Sequence, residues 1–587
     1  MGKSQFRWLK RRSKAAPEAP YETPVWLGNM SNGEFFKPAT ERDRKVRELI
    51  LQKCDDFARK KGMDRREFMA SSMGMATTLS VLNFASGCGG KDGMMGTDAV
   101  EKFMKDAGTT PYDGGVKSMG GSSSPSAGMS GSATAGMMGT SSGRAGSPSS
   151  SSAGSSSMMM DPAGRPAMPA AGSSGGGGSD GGFMIDKNMC MDAQHADMLF
   201  KRDYFILDFQ THHTNEGSGG PVFDDCMDGA ECTSPDTYVR KIFEMSDTTV
   251  AVLSGLPAMI DASTNDLSGF AFKNEDMRNS RDRVNKAARM LNPMAGERMV
   301  AHCQISPKAN PDANARMMME NKQKYDTRGW KCYPPTEGGW FLHENDGFIK
   351  TAIELEEPLV CLHKGFPFQG WSRVHANPMP DVGVVALRYP TVNFVVYHSA
   401  YDSAHTEGPF VADPNPDDGG TDRLWKVVTD NQLAGKNVYA EMGSAWALSM
   451  KDPVVAQHYI GKAIKYMTED RVVWGSECVW FGCPQNQIEA MKAFKISTEF
   501  QDMYGYADYT DAVRRKVFGL NGAGLYRVDP NACRYDIKLS QLAAHRQRLD
   551  EVWGPRRHAL YNPPAIRTWR DYVKLGEDRK RRGEIDA

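Results

Sequence analysis

Three scarcities bound what this 587-residue chain can be. Its 11 cysteines are too sparse for a disulfide scaffold, so the fold must rest on an apolar core, for which 40% hydrophobic residues supply the material. Its 71 Lys+Arg against 72 Asp+Glu leave a formal net charge of -1, which removes any global electrostatic source of non-specific nucleic-acid binding. No uncharged apolar run reaches the roughly 18 residues of an ordinary spanning helix, and the nearest approach follows residue 68. Glycine and methionine are plentiful instead, at 59 and 37, and many of them crowd between residues 89 and 182. Runs such as Gly120-Gly121-Ser122-Ser123-Ser124 and Gly175 to Gly178 leave almost nothing to bury, so chain entropy outweighs burial. Residues 89–190 are therefore predicted to be a disordered linker, with a root-mean-square span of about 50 Å for about 90 residues of Gly/Ser coil.

Ahead of the linker, residues 1–88 are predicted to be an address rather than a fold. A basic region ends in Asp64-Arg65-Arg66-Glu67-Phe68, followed by an uncharged run from Met69 to Gly87 that Ser, Thr and Gly make too polar for a stop-transfer helix. The pair Arg65-Arg66 with Phe68 resembles a twin-arginine export signal. Ala85-Ser86-Gly87-Cys88 is similar to a bacterial lipobox, with Ala85 where that pattern usually has Leu. These resemblances imply an exported protein, periplasmic or anchored in the cell envelope, with Cys88 as the lipidated membrane tether.

After the linker, short apolar runs alternate with helix-length amphipathic segments, the pattern of β/α units on a parallel sheet. Eight runs stand out, at 204–208, 249–254, 299–304, 329–333, 358–363, 392–398, 437–441 and 471–475. Eight units in about 350 residues predict an α/β fold, a (β/α)8 TIM barrel with long loop insertions over 191–530, preceded by the disordered linker. Residues 531–587 are predicted to be a helical C-terminal extension ending in the basic cluster Arg579-Lys580-Arg581-Arg582.

A barrel of this type places its chemistry at the carboxyl ends of the strands, and five of those ends carry candidate ligands or bases. They are Asp208-Phe209-Gln210-Thr211-His212-His213, Lys331, His363-Lys364, His398-Ser399 and Gly475-Ser476-Glu477. This order resembles the amidohydrolase superfamily, in particular its amidohydrolase-related branch of the aminocarboxymuconate-semialdehyde decarboxylase type. That pattern has His-x-His after strand one, His on strands five and six, and Gly-Ser-Asp on strand eight. Gly519-Leu520-Asn521-Gly522-Ala523-Gly524-Leu525-Tyr526 is similar to the branch's closing segment, so the resemblance spans roughly 203–527. Two positions depart from it: Gln210 replaces the first His, and Glu477 replaces the Asp.

The resemblance implies a bound divalent metal, Zn first with Mn or Fe as alternatives, held by His212, His363, Glu477 and Gln210. It further implies His398 and Glu477 as the catalytic acid/base groups. Asp208, His213 and Glu441 are candidates for orienting the ligands. Lys331, Trp330 and Trp480 are expected to bind substrate, and Lys364 and Arg373 could also hold a carboxylate. The function expected is an exported metal-dependent hydrolase acting on a small carbonyl compound through a metal-activated water. The alternatives are a non-oxidative decarboxylase of an aromatic or unsaturated carboxylic acid and a metal-free binding protein. A small-molecule substrate is the expected partner, nucleic acid is not, and a homodimer is admissible. In an oxidising compartment Cys226 with Cys232, and Cys478 with Cys483, could form disulfides.

Overall fold

The predicted runs are rich in Val, Ile, Leu, Phe and Tyr, residues that fit a pleated surface buried on both sides. In the computed structural model they form eight short barrel strands. These are β1 (Leu207–Thr211), β2 (Val250–Leu253), β3 (Met299–Ala301, continued by Cys303–Gln304), β4 (Trp330–Cys332), β5 (Leu359–His363), β6 (Asn393–Tyr397), β7 (Val438–Glu441) and β8 (Val472–Val473). Every neighbouring pair is parallel. β1 and β8 close the ring: Phe209 N donates to Trp474 O at 2.9 Å, Glu477 N donates to Gln210 O at 2.9 Å, and Thr211 bridges Cys478 in parallel. β1 starts three residues later than the 204–208 run predicts, because pairing follows the neighbour: Leu207 stands opposite Val250.

The structure describes residues 23–30, 37–88, 181–201, 203–213, 234–255, 259–260, 267–268, 274–291, 296–308, 310–336, 338–367 and 371–533. The linker from 89 to 180, Cys226, Cys232 and the C-terminal extension from 534 onward lie outside the described residues.

The period-two alternation of the strands sorts the core into two layers. Leu207, Phe209, Val250, Val252, Val300, Leu359, Cys361, Val395, Tyr397, Tyr439 and Val473 fill the barrel interior. Their sequence neighbours, among them Ala251, Leu253, Val360, Leu362, Phe394, Val396, Val438 and Ala440, pack outward in the second core. The surrounding helices start where chain chemistry lets them. The helix Pro453–Met467 is capped by Asp452, whose carboxylate accepts Val454 N at 3.0 Å, with proline at the first turn where no donor is needed.

Two predicted boundaries shift. Residues 182–183, assigned to the linker, form a strand antiparallel to Phe494-Lys495. Among the described residues of 1–88 lie three helices, α1 (Glu41–Lys61), α2 (Arg65–Met69) and α3 (Ser72–Ala85), whose apolar faces join the outer core of the barrel. No helix among the described residues is long and apolar enough to cross a membrane. The cysteines expected to pair, Cys478 and Cys483, form no disulfide, and neither do Cys54, Cys88, Cys190, Cys303, Cys332 and Cys361. Burial pushes the Cys483 thiol up to about 12 and the Cys478 thiol well above its usual value.

Histidine burial gives this fold an acid-sensitive element remote from the strand ends. His458, on Pro453–Met467, is 1% exposed and its Nδ1 lies 3.0 Å from Tyr506 OH. Burial, then the Lys462 charge, lowers its pKa to about 3. Unfolded, it would protonate near 6.5, so its neutral burial favours the fold fully above that pH and progressively less as pH falls toward 3. The stability difference between wild type and His458→Gln is expected to change by about 1.4 kcal/mol per pH unit between about pH 6 and 4. Denaturant midpoints across that range check it, and a pH-independent difference contradicts it.

Candidate active site

Barrel parity decides which side chains reach the mouth. Leu359, Cys361 and His363 share the inward face of β5, so His363 is its last inward residue. On β4, Lys331 faces in and Trp330 therefore faces out. Trp330 is fully buried in the outer core with its indole N–H donating to Glu357 O at 2.9 Å, so it is not a substrate-binding residue. On β1 a register irregularity between Asp208 and Thr211 re-aims the strand end, and Gln210 and His212 both turn toward the mouth.

There, the Gln210 amide Nε2 lies 3.3 Å from His212 Nε2 and 3.2 Å from Glu477 Oε1. His212 donates from Nδ1 to Ser254 O at 2.9 Å, which makes Nε2 its basic atom. Glu477 also accepts from Ser444 Oγ, and its Oε2 is 3.8 Å from His398 Nδ1. His398 donates from Nδ1 to Gly443 O at 2.9 Å, so its Nε2 carries the lone pair. The His363 and His398 rings lie 4.9 Å apart. The expected residues Gln210, His212, His363, His398 and Glu477 are thus gathered at one mouth. Lys331 joins them with Nζ 3.1 Å from the Tyr397 ring centroid and 4.8 Å from that of Tyr333. Trp480 stacks on His212 at 5.8 Å, and Trp371 lies edge-on to His363 at 5.4 Å.

The electrostatics follow from burial beside a lysine. Burial, then Lys331, lowers His212 to about 3. Burial also holds His363 and His398 well below the usual histidine value, helped by His398 and Lys331 in the first case and by Lys331 in the second. All three imidazoles are neutral at pH 7, the form that ligates a cation or accepts a proton.

Two buried carboxylates hold the loops in place. Glu441 accepts His398 N at 2.9 Å and also Gly443 N. Asp208 accepts Ser476 N at 2.9 Å, Ser476 Oγ at 2.5 Å and Gln210 N at 3.3 Å. Burial raises Glu441 to about 8 and Asp208 to about 7 against these hydrogen bonds. His398, Ser399, Ala400, Ser444 and Glu477 all take left-handed backbone, with φ between 51° and 58°. Such residues cost of order 1–3 kcal/mol each and persist where surrounding bonds over-determine them. Here Ser399 Oγ donates to Glu441 O at 2.8 Å, and Arg423 Nη2 donates to Ala400 O at 2.8 Å.

Three other expected residues do not join the site. His213 packs on Tyr238 at 5.0 Å. Lys364 is committed to Asp381 at 2.8 Å, both fully buried, so it cannot hold a substrate. Arg373 is half exposed and faces Asp402 at 3.7 Å. Ser444, Ser254 and Gly443 are the contributors that sequence reasoning missed. Two of them act through backbone carbonyls, which leave no mark on residue type.

The donor set suits a divalent cation only with the amide included. Among the described residues, no three His, Cys, Asp or Glu side chains form an ion site by themselves. Gln210 supplies what is lacking. Its Oε1 is buried without a hydrogen-bond partner, and a half-turn of the amide would set that oxygen where Nε2 now faces His212 and Glu477. Imidazole, amide oxygen and carboxylate are ordinary ligands for Zn, Mn or Fe, and His363 is the further imidazole in the same mouth.

Residues 254–528, from the end of β2 through the helix Asn521–Tyr526, match the sequence model of the family described as amidohydrolase. The barrel from β3 onward is similar to that family. No curated protein matches the sequence. Among solved structures, 2,6-dihydroxybenzoate decarboxylase from Rhizobium is 14% identical with a TM-score of 0.34, covering 55% of this chain and 99% of its own. Dihydroxybenzoic acid decarboxylase from Polaromonas sp. JS666, with bound manganese and 2-nitroresorcinol, is 13% identical with a TM-score of 0.37, covering 55% of this chain and 97% of its own. Dihydropyrimidinase from Brevibacillus agri is 11% identical with a TM-score of 0.28, covering 55% of this chain and 70% of its own. The strand ends carry the amide Gln210 and the glutamate Glu477 at the two positions where the sequence resemblance expects His and Asp.

Proposed function

We propose that the domain is a metal-dependent hydrolase of a small, planar carbonyl compound that carries a carboxylate. The observation that carries this reading is the grouping of three neutral imidazoles and the Glu477 carboxylate around the buried Lys331. A divalent ion held by His212, Gln210, His363 and Glu477 would polarise a carbonyl and make bound water more acidic. His398 Nε2 takes the proton of the attacking water and returns it to the leaving group, because Nδ1 is fixed on Gly443 O. Lys331 receives the substrate carboxylate, and the Trp480, Tyr333 and Trp371 rings that pack on His212 and His363 would stack on a flat substrate.

Lys331 also favours a second reading, decarboxylation of an aromatic or unsaturated acid. A buried ammonium between two tyrosine rings would place the carboxylate against the barrel floor. A panel of lactones, cyclic amides and aromatic carboxylates, followed for both ring opening and CO2 release, separates the two. Ring opening supports hydrolysis, CO2 without ring opening supports decarboxylation, and neither from a metal-loaded protein contradicts both. On any active substrate, Lys331→Met is expected to raise KM about 10–100-fold for the carboxylate form and to leave its uncharged ester analogue nearly unaffected, as loss of a charged hydrogen bond implies.

A further inference from the structure

The export-like segment is built into the fold. Twelve of the 14 residues of α3 are buried, including Met73, Met75, Ala76, Leu79, Val81 and Leu82. Two of the polar residues among them are satisfied within the helix: Thr77 Oγ1 donates to Met73 O at 2.8 Å, and Thr78 Oγ1 to Gly74 O at 2.9 Å. α3 packs on α1, on α4 (Ala193–Leu199), on the strand Gly182–Phe183 and on the helix Gln485–Ala493.

Polar bonds fix this docking in one register. The Asn83 amide donates to Phe183 O at 2.7 Å and accepts Phe183 N at 2.9 Å, replacing a strand partner. Arg42 pairs with Asp452 at 3.1 Å and donates to Ser86 Oγ at 2.5 Å. Lys451 and Asp43, each at most 9% exposed at the side chain, stand 3.6 Å apart. Cys88 is 5% exposed, and its sulfur lies 3.7 Å from Gln457 Nε2. Of the twin-arginine-like residues, Phe68 is buried while Arg66 stays at the surface.

We infer that residues 41–88 are a permanent part of the folded protein, docked on the barrel face made by 182–183, 193–199, 453–467 and 485–493, and not a leader removed before Cys88. Removal would bare that whole apolar face and leave Asp452 and Lys451 without partners from the segment. The inference stands apart from the catalytic reading, because the bonds that dock residues 41–88 run to Phe183, Asp197, Lys451, Asp452 and Gln457 and not to the site residues.

The test uses the full chain expressed in a bacterium with a working twin-arginine pathway. Intact mass and peptide mapping are expected to find residues 41–88 present and the Cys88 thiol unmodified. Cys88 should resist iodoacetamide in the native protein and react in denaturant. Leu79→Asp is expected to lower Tm by about 10 °C or more. Should that variant not fold, the milder cycle of Arg42→Ala, Asp452→Asn and the double variant still decides: coupled losses in Tm support docking, and additive ones oppose it. A stable mature chain that begins at an acylated Cys88 overturns the inference, as does a native Cys88 that alkylates as fast as the denatured thiol.

Discussion

Replacing His398 with Gln is expected to slow turnover about 10²–10⁴-fold while KM and bound metal change little. The reasoning is geometric. The Nδ1 hydrogen bond to Gly443 O fixes which nitrogen is basic, and the Glu441 bond to His398 N fixes where the residue sits in its left-handed turn. A glutamine keeps much of the volume and can still donate, but it cannot accept and return a proton near neutrality. Burial and Lys331 hold the imidazole neutral, so the wild-type rate should stay flat well below the pH at which a solvated histidine would protonate. Single-turnover and steady-state rates over pH 5–9, on the substrate found by the panel, measure both effects. An unchanged kcat in His398→Gln assigns the proton transfer to another group.

The largest expected loss of stability lies behind the site. Lys462 is fully buried and pairs with Glu407 and with Asp422, each at 2.6 Å. The carboxylates are also buried, and Glu407 additionally accepts Thr421 N at 2.9 Å. Lys462→Met would leave two carboxylates together without a cation, which should cost about 3–5 kcal/mol or force one to protonate. The triple change Lys462→Met, Glu407→Gln, Asp422→Asn removes the uncompensated charge and is expected to recover most of that loss. The neighbouring Tyr459 OH lies 3.0 Å from Ser399 Oγ, so the single variant should also loosen the turn that aims His398. Denaturant midpoints measure this, and a shift under about 1 kcal/mol for the single variant contradicts the account.

Much of the barrel was legible because its signal is redundant. Period-two parity, order and spacing all act on the same strands, so the ends carrying Gln210, His212, His363, His398 and Glu477 could be placed before their geometry was known. Parity on β4 should also have separated Lys331 from Trp330, since adjacent strand residues cannot face one mouth. The commitment of Lys364 to Asp381 was not legible, because a lysine after a strand reads alike whether its partner is a substrate or a carboxylate 17 residues away. The carbonyls of Ser254 and Gly443 leave no sequence signature at all. In the N-terminal segment, a weakly apolar, uncharged run suits a signal core and a buried helix equally well. Only tertiary partners such as Asn83 with Phe183 separate the two.

The central claim is that the strand ends of this barrel hold one divalent ion through an unusual amide-containing set. Elemental mass spectrometry on the full chain, purified without chelators and then dialysed against Zn, Mn or Fe, tests it most directly, with His212→Ala and Glu477→Ala measured alongside. About one equivalent in the wild type, lost in both variants while Tm stays measurable, is the predicted result. No bound metal in the wild type after reconstitution, or equal content in all three proteins, would contradict it.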